Sequence, residues 1–181
     1  NAKITMGNLR LCHKILLLFW GLLSTVPSFT QESPEHYTKR YIQRIPVYFP
    51  LHKNDFLRMS SPYGYRRHPI HNKTILHQGV DLVAHKGKPV YATAAGTVET
   101  ADFEKGYGNR IIIAHLEGVK TLYGHLWIKM VEPGQTVLKG QLIGFVGDTG
   151  QVTGPHLHYE VWIKDKKVDP MLLWKKFIEG S

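Results

Sequence analysis

GPHLHYEV, residues 154–161, places two histidines one residue apart inside an apolar run. Gly154 and Pro155 read as a turn, and the residues after them read as a strand. Side chains on a strand alternate faces, so His156 and His158 point one way and Leu157 the other. One face of one strand then offers two nitrogen ligands, or one ligand and one acid/base group, to a common point. The same kind of segment recurs upstream: PVYATA (89–94), GTVETADFE (96–104), RIIIAH (110–115), KTLYGHLWI (120–128) and QLIGFVGD (141–148), with glycine turns between them. Short strands at regular spacing argue for a mainly β, single domain of antiparallel sheets, sandwich- or barrel-like, with short helical termini. Asp169-Pro170 opens the C-terminal helical turn.

The 181 residues leave room for one domain with a substantial core. The N-terminus reads separately. Met6 is followed by a stretch with Arg10 and Lys14, then by the apolar ILLLFWGLL (15–23), then by small residues. That is the pattern of a secretory signal peptide over 1–28, with Val26-Pro27-Ser28 as the cleavage site and residues 1–5 as upstream read-through. The apolar run is short for a span of about 20 residues, so the expected mature chain has no stable membrane span and is periplasmic or secreted. The other reading is an uncleaved anchor. Cys12 is the only cysteine and lies in this segment, which leaves the mature chain no disulfide framework and no thiol chemistry. Residues 29–56 carry Pro34, Pro46 and Pro50 and read as a lead-in with one helical turn at 36–43. Residues 57–175 remain as the functional domain.

The net charge is +9, and about +6 once Lys3, Arg10 and Lys14 are set aside. Such a surface suits a polyanion, whether nucleic acid, a membrane surface or an anionic cell wall. No run of Lys and Arg interleaves with aromatics, which argues against nucleic acid. Eleven histidines are many for this length, and their placement matters more than their number. HQGVD sets His77 and Asp81 four apart, on the same side if the segment is extended. Gly79 between them permits a close backbone approach. In TLYGHLWI, alternation puts Thr121, Tyr123, His125 and Trp127 on one face, and Leu122, Leu126 and Ile128 on the other, core-facing side. A lone strand histidine is more often a hydrogen-bonded filler than a ligand. Histidines and an aspartate in three glycine-marked contexts are harder to read that way. A His/Asp/His set without cysteine is a nitrogen–oxygen donor set that suits zinc, and three protein ligands leave a fourth position open.

SPYGYRRHPI (61–70), HQGVD (77–81), PVYATAAGTV (89–98), GYGNRIIIAH (106–115), YGHL (123–126), VEPGQTVLKGQLIGFVGDTG (131–150) and GPHLHYEVW (154–162) together resemble the lysostaphin/LytM family of zinc metalloendopeptidases. The resemblance runs from about Phe56 to Leu173. It implies one Zn2+ per chain, held by His77, Asp81 and His158, with His125 and His156 as the catalytic pair. It implies hydrolysis of peptide bonds in bacterial peptidoglycan, at stem-peptide cross-links, by a zinc-activated water. Either histidine could take the water's proton while the other assists the oxyanion or the leaving amine.

Arg66, Asn109 and Tyr123 are weaker substrate-binding candidates. Arg66 suits a substrate carboxylate or a structural ion pair equally, and Asn109 suits a turn. His115 ends RIIIAH and reads as structural. His68, His71 and His85 have no evident partner, and His36 and His52 read as surface residues of the lead-in. Two rival functions remain. Family members that have lost ligands act as silent, wall-binding activators of other hydrolases, but this chain keeps all five positions. A zinc-binding or storage module would close its coordination, and no fourth ligand is evident. Oligomeric state is open.

Overall fold

A strand that changes partner halfway along its length organises this molecule. The computed structural model describes residues 42–67 and 74–179, all within one compact unit spanning 35–181. The signal-like segment, His36, His68, His71 and most of the helical turn expected at 36–43 lie outside the described residues. In chain order the strands are β1 (Arg58–Ser61), β2 (Gly64–Arg67), β3 (Thr74–His77), β4 (Val80–Val83), β5 (Pro89–Tyr91), β6 (Gly96–Glu104) and β7 (Gly108–Ala114), then β8 (Val119–Lys129), β9 (Thr136–Val137), β10 (Leu142–Val146), β11 (His156–Ile163) and β12 (Lys166–Val168). Helix α1 (Pro170–Glu179) follows. Ten strands form one antiparallel sheet running β1-β4-β11-β8-β7-β6-β9, with β10 on β5 and β8, and β12 on β11; β2 and β3 form a separate hairpin.

The mainly β, antiparallel reading of the sequence holds, and each of the six quoted runs contains a strand. The strands the sequence hid are β1 to β4, β9 and β12, each two to four residues long, too short to show alternation. Helix α1 starts as expected: Asp169 Oδ1 accepts the Met171 N–H at 2.9 Å, and Pro170 stands where no N–H is needed. Trp174 of α1 stacks on Tyr159 with ring centroids 5.5 Å apart. This closes a core built from β4, β5, β7, β8, β10 and β11. Each large side chain fully buried there contributes about 1.5–3 kcal/mol.

The expected alternation of β8 fails, and the failure shapes the site. Through Gly124 the strand pairs with β11, from Ile163↔Val119 to His158↔Gly124. From Leu126 onward it pairs with β10. Between these stretches its ladder with β7 slips, Ile111 facing Tyr123 and Asn109 facing Leu126. One extra residue is accommodated there, a bulge, and His125 takes it up at φ 60°. The extra residue shifts the phase. Tyr123 and Leu126 both enter the core, whereas Ile128, assigned to the core by alternation, is 39% exposed.

His115 is structural, as read. Its Nδ1–H donates to the Ala95 carbonyl at 2.8 Å, and its Nε2 accepts from Thr121 Oγ1 at 2.9 Å. Burial holds its pKa below the usual histidine value. Among the described residues no helix is long and apolar enough to cross a membrane.

Candidate metal centre

The register of three neighbouring strands assembles the site. Asp81 on β4 faces His158 on β11, and His158 faces Gly124 on β8. His77 ends β3, and Gln78-Gly79 carries the chain from the hairpin into β4. A Cβ on Gly79 would collide with the Tyr159 carbonyl and lie 2.9 Å from Glu160 Cγ and 3.0 Å from His158 Cε1. Glycine at this position therefore lets the HQGVD segment lie against β11.

His77 Nε2, Asp81 Oδ1 and His158 Nδ1 form a triangle with sides of 3.1, 3.2 and 2.8 Å. All three residues are buried. Ligands around a tetrahedral zinc, with bonds of about 2.0–2.1 Å, lie about 3.3 Å apart. The residues therefore fit such an ion in donor type and in spacing. The nitrogen of each imidazole outside the triangle is tied down. His77 Nδ1–H donates to the Pro62 carbonyl at 2.8 Å, and His158 Nε2 lies 3.0 Å from Glu160 Oε1. Burial alone would raise the Asp81 pKa, but the neighbouring imidazoles of His158 and His77 hold it well below the usual carboxylate range. For His158, burial works downward and is outweighed by the bonds to Asp81 and Glu160, which raise its pKa.

His125 and His156 line the same cleft, whose volume is about 420 Å³. Their ring centroids are 4.7 Å apart. His125 Nδ1–H donates to the Thr149 carbonyl at 2.9 Å, and His156 Nδ1–H to the Gly154 carbonyl at 2.8 Å. Each ring therefore keeps Nε2 as its free, basic nitrogen. Burial, with repulsion from His156 and His158, pushes the His125 pKa down to about 4, so His125 is neutral at neutral pH. His156 Nε2 lies 3.6 Å from Asp81 Oδ1.

Of the weaker candidates, only Arg66 lines the cleft. Its Nη2 lies 3.4 Å from Asp81 Oδ2. Asn109 points elsewhere: its side-chain amide donates to the Leu126 and Trp127 carbonyls at 3.1 and 3.3 Å, pinning β8 just past the bulge. Tyr123 is fully buried, and its hydroxyl lies 2.9 Å from both the Thr93 N–H and Thr93 Oγ1. It lies between Ile111 and Tyr159 on the core face, and the bulge that follows sets His125 off that face. Sequence reasoning missed Glu160 and Tyr107, which also line the cleft. Alternation from His156 and His158 would have put Glu160 on their face; Tyr107 carried no such signal.

Residues 75–170 match the sequence pattern of Peptidase family M23. The DD-carboxypeptidase/endopeptidase Mpg of Neisseria meningitidis serogroup B is 47% identical over 116 residues, covering 64% of this chain and 27% of that protein. The peptidoglycan DD-endopeptidase ShyC of Vibrio cholerae is 41% identical over 117 residues, covering 64% of this chain and 27% of that protein. The catalytic domain of the antimicrobial peptidase lysostaphin from Staphylococcus simulans superposes with a TM-score of 0.60 at 32% identity, covering 67% of this chain and 93% of that domain. The chain spans about a quarter of the length of these two curated relatives. The family pattern covers more than half of the sequence, across the four strands that carry the site histidines and the aspartate, and the chain belongs to peptidase family M23.

Proposed function

We propose that this chain is a zinc-dependent endopeptidase that hydrolyses peptide bonds in bacterial peptidoglycan, at the D,D cross-links between stem peptides. The observation that carries the reading is the buried triangle of His77 Nε2, Asp81 Oδ1 and His158 Nδ1, with two further imidazoles in the same cleft. The names of the Neisseria and Vibrio relatives support the bond class. His77, Asp81 and His158 would hold one zinc. When bound, that ion supplies Lewis-acid chemistry at the scissile carbonyl and acidifies water.

The chain's own residues supply the rest. Neutral His125, with Nε2 free, is suited to accept the proton of the attacking water. His156 is placed to stabilise the oxyanion or to return a proton to the leaving amine. Arg66 beside Asp81 offers a guanidinium to a substrate carboxylate at the cleft wall. We assign this activity to residues 57–175; the proposed substrate and the apolar 15–23 segment support a cell-envelope location, periplasmic or secreted, for the protein.

The test uses the full chain with purified peptidoglycan. Zinc content is measured first, then release of new amino termini with and without a chelator, and after zinc is restored. One zinc per chain with chelator-sensitive release is expected, and fragment masses identify the bond. Bound zinc without release from several wall types would replace this reading with that of a silent activator.

A further inference from the structure

Glu160 has no exposed surface, and a carboxylate stripped of water must find other donors. Four side chains supply them. Tyr107 donates its hydroxyl to Oε1 at 2.7 Å. Trp162 donates Nε1–H to Oε2 at 2.6 Å, and His158 Nε2 lies 3.0 Å from Oε1. Lys167 Nζ lies 3.0 Å from Oε2. Lys167 is itself clamped. Its ammonium lies over the rings of Trp162 and Tyr107, 5.2 and 5.6 Å from their centroids. It donates to Gln78 Oε1 at 2.6 Å, inside the HQGVD segment. Its carbonyl accepts the Tyr63 hydroxyl at 3.2 Å. Strand β12 thus ties the carboxylate to the turn at Gln78 between β3 and β4, which carry His77 and Asp81.

We propose that Glu160, clamped by Lys167, is a positioning residue that fixes the orientation and tautomer of His158 and thereby sets the metal affinity of the site. The inference rests on the reading of His158 as a metal ligand. A ring whose Nε2–H is held by a carboxylate must present the Nδ1 lone pair to the triangle. A ring released from Glu160 can rotate, or carry its proton on Nδ1 and fail to ligate. An amide at position 160 can still accept from Nε2–H. Its NH2 group would then face the Trp162 N–H and the Lys167 ammonium, donors against a donor.

The experiment compares the full-length wild type with Glu160→Gln, Lys167→Met and His158→Ala. Zinc affinity is read by competition with a chromophoric chelator. Melting is followed without metal, and imidazole nitrogen spectra of the zinc-loaded protein report which His158 nitrogen carries the proton. Glu160→Gln is expected to bind zinc about 10- to 100-fold more weakly, with signal from a second His158 tautomer. Lys167→Met, which removes the cation beside a buried carboxylate, is expected to show a smaller loss of affinity of the same sign together with a lower metal-free melting temperature. Wild-type affinity and a single tautomer in Glu160→Gln would overturn the proposal. If that variant does not fold, unchanged affinity in Lys167→Met overturns it. Zinc held as tightly by His158→Ala as by wild type would instead defeat the ligand assignment itself.

Discussion

Strands β8 and β11 both send histidines into one cleft, by opposite means. β11 does it by regularity. His156, His158 and Glu160 follow one another at intervals of two on one face, while Leu157, Tyr159 and Val161 fill the core. β8 does it by a break. His125 sits in the left-handed region where the strand exchanges β11 for β10. A non-glycine residue held there costs on the order of 1–3 kcal/mol, sustained only when the surroundings over-determine it. Here they do. The His125 N–H donates to the Tyr107 carbonyl at 2.7 Å, its ring is held by Thr149, and Asn109 pins the next two carbonyls. The regular strand contributes His158 to the donor triangle; the irregular one brings a further imidazole into the same cleft.

The sharpest way to break this comparison is to remove one histidine from each strand. His158→Ala is expected to lose zinc and abolish turnover. His125→Ala is expected to keep zinc while turnover falls on the order of 100-fold or more. Metal analysis beside peptidoglycan hydrolysis separates the two, and full activity in His125→Ala would remove it from the catalytic pair.

A smaller perturbation targets the crossing of the two strands. Gly147 bridges to His156, and a Cβ there would collide with the Trp127 nitrogen and lie 2.6 Å from the His125 carbonyl. Gly147→Ala is expected to cost about 3 kcal/mol from forced repacking, a fall in Tm of roughly 10 °C. An unchanged Tm would mean that the bulge is pliable rather than held.

Milder still, Asn109→Ala removes two hydrogen bonds to β8 at a cost of about 1–2 kcal/mol. It is expected to lower kcat through a looser His125 while zinc affinity stays as in wild type. A matching loss of zinc would show that the two strands do not act separately.

The last prediction concerns pH. His115 and His125 have pKa values lowered by folding, His125 to about 4. The unfolded chain therefore takes up their protons first, so stability falls as pH drops through about 6.5 and, for His125, continues to fall toward 4. Melting of the metal-free protein between pH 7.5 and 4.5 checks this. Wild-type acid sensitivity in a folded His115→Asn, His125→Asn double variant would assign it to other groups.

How much of this was legible in the sequence follows from the same contrast. The strand character of β6, β7, β8, β10 and β11 could be read because runs of five or more residues carry apolar, β-branched and aromatic side chains between glycine turns. The grouping of His77, Asp81, His156 and His158 followed from spacing and from the resemblance. The environment of Glu160 could not be read, because its partners Tyr107 and Lys167 arrive from the turn before β7 and from β12. Tyr123 was misplaced for a related reason: nothing in TLYGHLWI announces that the strand will change partner at Gly124.

The sequence by itself determined the β character of the chain and the chemical identity of its donors, since both depend on side-chain type and on spacing within one segment. The tertiary structure decided which nitrogen of each imidazole faces the triangle and where β8 takes its extra residue. It also decided which carboxylate joins the triangle and which lies against the far nitrogen of His158. Those are properties of register and of contacts between strands up to 81 residues apart in sequence. No local pattern encodes them, because a hydrogen bond across a sheet depends on which strand lies alongside and at what offset.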